Sequence, residues 1–166
     1  MTAKLRVRDI TLYALLGAIL FALKIVMAGL PNIEPVTLLV IVYALVFGWN
    51  ALWSVYVYVF LECFTWGFNT WTVSYLYIWL ILFFLVRLFR RMESPLSWAI
   101  LSAAFGMSFG LLCAPVCLLS GGWAYAVSWW VSGIPYDLLH CAGNFVMTLL
   151  LFRPCRRLLT KLHKQY

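Results

Sequence analysis

The chain has 166 residues, of which 66% are hydrophobic, 18% aromatic and only 10% charged, with a net charge of +7. A water-facing surface needs about 25% charged residues, so a soluble domain is excluded and lipid must cover most of the surface. The length fits one domain over residues 1–166. No cleavable signal peptide is expected, because the first apolar run is long and no small-residue cleavage site follows it.

Six apolar segments are read against the ~20 residues that cross a ~30 Å hydrocarbon core. Span one covers residues 10–29. Span two, residues 35–47, is short and fits a shallow position or a thinned bilayer. Gly48, Trp49 and Asn50 form a tight turn before span three at 51–66. A turn rich in Asn, Thr and Trp over 68–72 precedes span four at 73–89. A charged loop over 90–95 leads to span five at 96–118, where Pro115 predicts a kink. An aromatic connection over 120–133 precedes span six at 135–152, with Pro135 in its first turn. The fold class is therefore an all-α integral membrane protein of six helices.

Charge orients it. Lys4, Arg6 and Arg8 precede span one; Arg87, Arg90 and Arg91 close span four; Arg153, Arg156, Arg157, Lys161 and Lys164 follow span six. These are eleven of the twelve basic residues, all on one face, which the positive-inside rule makes cytoplasmic. Both termini fall inside, in a cell membrane. Insertion explains the positive charge, so no nucleic-acid partner is implied. The stretch LPNIEP at 30–35 becomes the outer loop between spans one and two. Its prolines read as stops. The loop is either a plain turn or a lid.

Rings crowd the outer half: Trp66, Phe68, Trp71, Tyr75, Tyr77, Trp79, Trp123, Tyr125, Trp129, Trp130 and Tyr136. An interfacial belt accounts for some of them. The surplus in 66–71 and 123–136 suits the wall of an outward-facing pocket. Few ionisable residues lie inside spans: Lys24, Glu62, Asp137 and His140, with Asn144 one turn below His140. An isolated charge in lipid costs ~2.5–3.5 kcal/mol or more, so these face the interior and pair. One reading is a structural ion pair of Lys24 with Glu62 or Asp137. Another has Glu62, Asp137, His140 and Asn144 contacting a solute. Asp137 also suits a cap on span six, and Lys24 suits snorkelling. The five cysteines, Cys63, Cys113, Cys117, Cys141 and Cys155, show no metal-ligand spacing and read as apolar fillers.

Small residues recur every fourth position as Ala14, Ala18 and Ala22, with Gly17 beside them, and as Ser102, Gly106, Gly110 and Ala114. Such ridges let helices approach closely in lipid. One suits internal packing; the helix-one ridge suits a partner protein. Gly106 to Gly110 also spells G-x-S-x-G, with His140 on the next helix, which invites a serine hydrolase using Ser108 and His140. The motif lies mid-helix rather than in a strand–turn–helix, and helix geometry places Ser108 and His140 at different depths. The expectation is not an enzyme.

LPNIEPVTLLVIVYALVFG from Leu30 and SGIPYDLLHCAGNFVMTLLLFRP from Ser132, with six spans, an alanine ridge and an aromatic outer pocket, resemble the substrate-binding S component of energy-coupling factor (ECF) vitamin transporters. The likeness covers essentially the whole chain. It implies a subunit of an ATP-driven importer that captures a vitamin or related micronutrient from outside. Docking on a transmembrane coupling subunit would run through Ala14, Ala18 and Ala22. Two cytoplasmic ATPases would hydrolyse ATP, since this chain has no Walker A motif and binds no cofactor or metal of its own. Pro31, Asn32, Ile33 and Glu34 would form the gate. The solute would meet Glu62, Trp66, Asn69, Trp71, Tyr75, Trp129, Tyr136, Asp137, His140 and Asn144. The cobalamin-type branch is the best single match for cargo. The contrasting reading is a stand-alone channel or carrier for small solutes.

Overall fold

The computed structural model describes residues 6–30 and 32–165. Pro31 of the expected gate and Lys4 of the basic amino end lie outside them. Among the described residues the protein is helical throughout, with six α-helices: α1 (Val7–Val26), α2 (Val36–Val46), α3 (Ala51–Trp66), α4 (Thr70–Leu88), α5 (Pro95–Met107) and α6 (Phe109–Gln165). By length and composition, α1, α4 and the run from α5 through α6 are able to cross a membrane. Phe60, Phe64, Phe84, Ile100, Leu111 and Leu150 point outward from the bundle.

Local chemistry sets most of the helix ends. Asp9 lies in the first turn of α1, where its carboxylate accepts the Arg6 N–H at 3.0 Å and faces the positive helix end. Ser94 and Pro95 open α5 in the order that proline's fixed φ favours. Gly67, at φ 72°, ends α3 with a backbone that a side chain would strain. Asn69 then caps α4: its side-chain oxygen accepts the N–H groups of Trp71 and Thr72, both at 3.1 Å.

α2 is short because it is the centre. Its residues from Val36 to Ala44 are all buried, and α1, α3, α4 and α6 surround it. A helix apolar on every face belongs inside others, so neither thinned lipid nor a shallow position is needed. α1 lies on α3 at Gly17, where an added Cβ would stand 2.6 Å from the Ser54 carbonyl oxygen. α5 lies on α6 at Gly106, where a Cβ would stand 2.9 Å from the His140 backbone. The second small-residue ridge is thus internal packing. Trp79, grouped above with the outer rings, is fully buried in the core.

The last two expected spans have different bounds. Span five divides at Ser108 into α5 and the first limb of α6. Pro115 does not break that limb. The backbone leaves helical values at Gly122, with φ 76° and ψ −174°, and divides α6 into limbs of residues 109–121 and 123–165. The stretch 120–133, expected as a connection, is therefore helical apart from Gly122, and Pro135 lies well inside the second limb. One left-handed glycine is enough to reverse the chain. Tyr125 and Trp129, one turn apart with centroids at 6.1 Å, support helix instead.

One end of the bundle is basic. Arg87 donates to the Ala44 carbonyl at 3.3 Å at the end of α2, and His163 packs on Phe47. Arg153, Arg156, Arg157, Lys161 and Lys164 line a groove with Glu93. The expected site residues lie toward the other end.

Candidate functional site

A cavity of about 650 Å³ occupies the end opposite the arginines. It is built from the end of α1, the 27–34 loop, the junction of α3 and α4, and both limbs of α6. Trp66, Trp71, Tyr75, Trp129 and Tyr136 give it ring walls, with Phe109 at the start of α6. Lys24, Glu34, Asp137 and His140 give it ionisable groups. Its surface is mostly apolar with a few convergent polar groups, the usual make-up of a small-molecule site.

Lys24 is committed. Its ammonium donates to Glu62 Oε2 at 2.6 Å and to the Tyr75 hydroxyl at 3.1 Å. Glu62 is fully buried behind it and does not line the cavity. Of the alternatives the sequence left open, the partner of Lys24 is Glu62, not Asp137, and Lys24 does not snorkel. Asp137 caps the start of the first limb of α6 from its place on the second. Both its oxygens accept the Gly110 N–H, at 3.0 and 3.1 Å, in the first turn after the break at Ser108. The carboxylate thereby stabilises the new helix start.

His140 differs. It is 2% exposed and lines the cavity, and neither ring nitrogen has a hydrogen-bond partner among the described residues. Buried imidazole nitrogens are costly to leave unpaired. A neutral imidazole offers one donor and one acceptor, and here both nitrogens are buried beside the cavity without a partner among the described residues.

Residues 27–30 and 32–34 lie along the cavity, and the second group is fastened to the second limb of α6. Asn32, in a left-handed conformation at φ 55° that asparagine tolerates, donates to the Tyr136 carbonyl at 3.2 Å. Ile33 abuts Gly143, where an added Cβ would stand 3.3 Å from it. Glu34 is half-buried and lines the cavity. Burial pushes its carboxyl up to about 7; Lys24 opposes that rise and Glu62 adds to it.

Three expected contacts do not line the cavity. Glu62 holds Lys24. Asn69 is spent on its cap, and its amide donates to the Trp66 and Gly67 carbonyls. Asn144 sits one turn deeper, donating at 3.2 Å to the Thr37 hydroxyl and to the Ser102 carbonyl. Conversely, Phe109, Gly110 and Cys113 line the cavity unforeseen. They continue the face begun by Gly106, and following that ridge outward would have found them.

Ser108 and His140 form no nucleophile–base pair. The Ser108 hydroxyl donates within its own helix, 3.0 Å from the carbonyls of Ala104 and Phe105. The expected difference in depth is corrected: Gly106 lies against His140, and Gly110 against Asp137. Direction, not depth, separates the serine from the histidine. Among the described residues no three His, Cys, Asp or Glu side chains gather as a metal site. Ala14, Ala18 and Ala22 all lie on the exposed face of α1. Set against known protein families, curated proteins and solved structures, the chain matches none.

Proposed function

We propose that this chain is the membrane-embedded, solute-binding subunit of an ECF-type importer. It crosses the bilayer six times with both termini in the cytoplasm, captures a vitamin or related micronutrient from outside and hands it to partners that hydrolyse ATP. The observation that carries the reading is the ring-walled cavity beneath a fastened loop, at the end of the bundle away from the arginines. The exposed Ala14–Ala18–Ala22 ridge adds a face where a coupling subunit's helices would pack closely. The cavity volume favours a single or fused ring system. A corrin with its amide arms and axial group is far larger, so cobalamin would require the 27–34 loop to swing away.

Mass spectrometry of the small molecule that copurifies with the full chain tests the reading. One ring-bearing solute bound at one per chain without ATP is expected. A chain that copurifies with none, and binds none from a panel of vitamins, overturns it. Uptake by the chain alone, without an ATPase partner, would replace it with a stand-alone carrier.

A further inference from the structure

The charges around the cavity do not balance. Among the described residues Lys24 is the one Lys or Arg lining it, and it is held by Glu62 at 2.6 Å and by Tyr75. Glu34 and Asp137 remain as carboxylates facing the same space. Asp137 has one backbone N–H for both its oxygens. The walls are rich in tryptophan and tyrosine, and the π faces of such rings attract cations and repel anions. An anion entering here meets two carboxylates and no free ammonium.

His140 adds a second constraint. Its two unpartnered nitrogens supply one donor and one acceptor. A saturated ammonium would satisfy the carboxylates and offer the imidazole no acceptor. A flat ring bearing nitrogen and a polar substituent brings an edge that one of these nitrogens can meet, and it stacks on indoles as well. A bare metal ion fails, because no three ligating side chains come together among the described residues.

Resting on the solute-capture reading above, we infer that the cavity selects a planar nitrogen heterocycle carrying positive charge, its charge beside Glu34, its edge on His140, and its faces against Trp66, Trp71 and Trp129.

The inference sets the direction of a pH dependence. Glu34 is faced by Lys24 from α1, by Tyr58 and Glu62 from α3, by Tyr75 from α4, and across the cavity by Tyr136, Asp137 and His140 from α6. In the empty site burial raises its carboxyl to about 7. A bound cation favours the ionised form and drives the proton off. Affinity for a cation therefore rises with pH through this range, and affinity for an anion falls.

Three probes share one ring and differ in charge: trigonellinamide, a cation; nicotinamide, neutral; and nicotinate, an anion. Their binding to the purified full chain in detergent is read by tryptophan quenching and calorimetry. Trigonellinamide is expected to bind about ten-fold more tightly than nicotinamide, with nicotinate weakest. Its affinity should rise several-fold from about pH 6 to about pH 8. Glu34→Gln should flatten that rise and remove most of the preference for the cation, with an unchanged melting curve as the folding control. Nicotinate binding as tightly as trigonellinamide, or a cation affinity that falls with pH, overturns the inference and leaves solute capture standing. If none of the three binds, the inference falls, and solute capture is decided separately by the copurified molecule and the vitamin panel above. The wild-type comparisons decide the matter even if the variant fails to fold.

Discussion

Lys24 and Glu62 show what one buried pair does in a chain this apolar. Glu62 is wholly buried, and its second oxygen has no partner among the described residues. Its charge therefore leans on the single 2.6 Å contact with Lys24. Lys24→Met should lower stability by on the order of 3 kcal/mol, because an uncompensated carboxylate stays inside. Adding Glu62→Gln should restore much of that loss. Thermal denaturation in detergent measures both, and equal losses for the single and double variants would refute the account. At this scale the sequence disclosed which residues are polar within apolar runs, and hence Lys24, Asp137 and His140. It did not disclose their assignments. Asn69 looked like a ligand because a cap and a ligand use the same side-chain oxygen, and only the position of the N–H groups of Trp71 and Thr72 separates them. The carboxylate of Asp137 reaches the Gly110 N–H, 27 residues earlier in sequence, which no local pattern encodes.

Two faces of α1 carry small residues for opposite reasons. Gly17 is buried against Ser54 and Val57 of α3, whereas Ala14, Ala18 and Ala22 face outward. Gly17→Ala should destabilise the bundle by about 1–3 kcal/mol, since α1 must move off α3 to admit a methyl group. Ala18→Leu should change stability by less than about 0.5 kcal/mol, yet abolish uptake in cells that carry the coupling subunit while leaving solute binding intact. Melting curves of the purified variants and accumulation of labelled solute distinguish the two. Normal uptake by Ala18→Leu would remove the docking assignment. Among elements, the long apolar runs were legible, and α2 and α3 lie within a residue of their expected bounds. The stretch 120–133 was not. Its glycines and serines carry loop signals, but a helix tolerates them wherever packing such as that of Tyr125 on Trp129 offsets their weak propensity. Only Gly122 adopts a conformation that the helix cannot.

For the molecule as a whole, charge and cavity lie at opposite ends, and the proposed orientation follows from that separation. In a variant whose five native cysteines are replaced, a new cysteine at Asn32 should react with a membrane-impermeant maleimide in intact cells. One at Thr160 should react only after lysis. The reverse pattern would invert the protein. The polar end and the basic end were visible in the linear sequence because ionisable residues are scarce in it. The central position of α2 was not visible, since an apolar helix looks the same whether lipid or protein surrounds it.

The second limb of α6 runs unbroken from the cavity wall to the arginines, about 60 Å at 1.5 Å per residue. Near its waist, Asn144 and Thr148 tie it to α2 and α5 through Thr37 and Ser102. A rod pinned at its waist is a lever. From the middle of that pin, Tyr136 stands about 15 Å away on one side and Arg156 about 15 Å on the other. A tilt that draws Tyr136 outward by about 2 Å therefore carries Arg156 about 2 Å the opposite way. Widening the mouth and displacing the charged tail are then one motion, and whatever grips that tail has leverage over what the mouth holds.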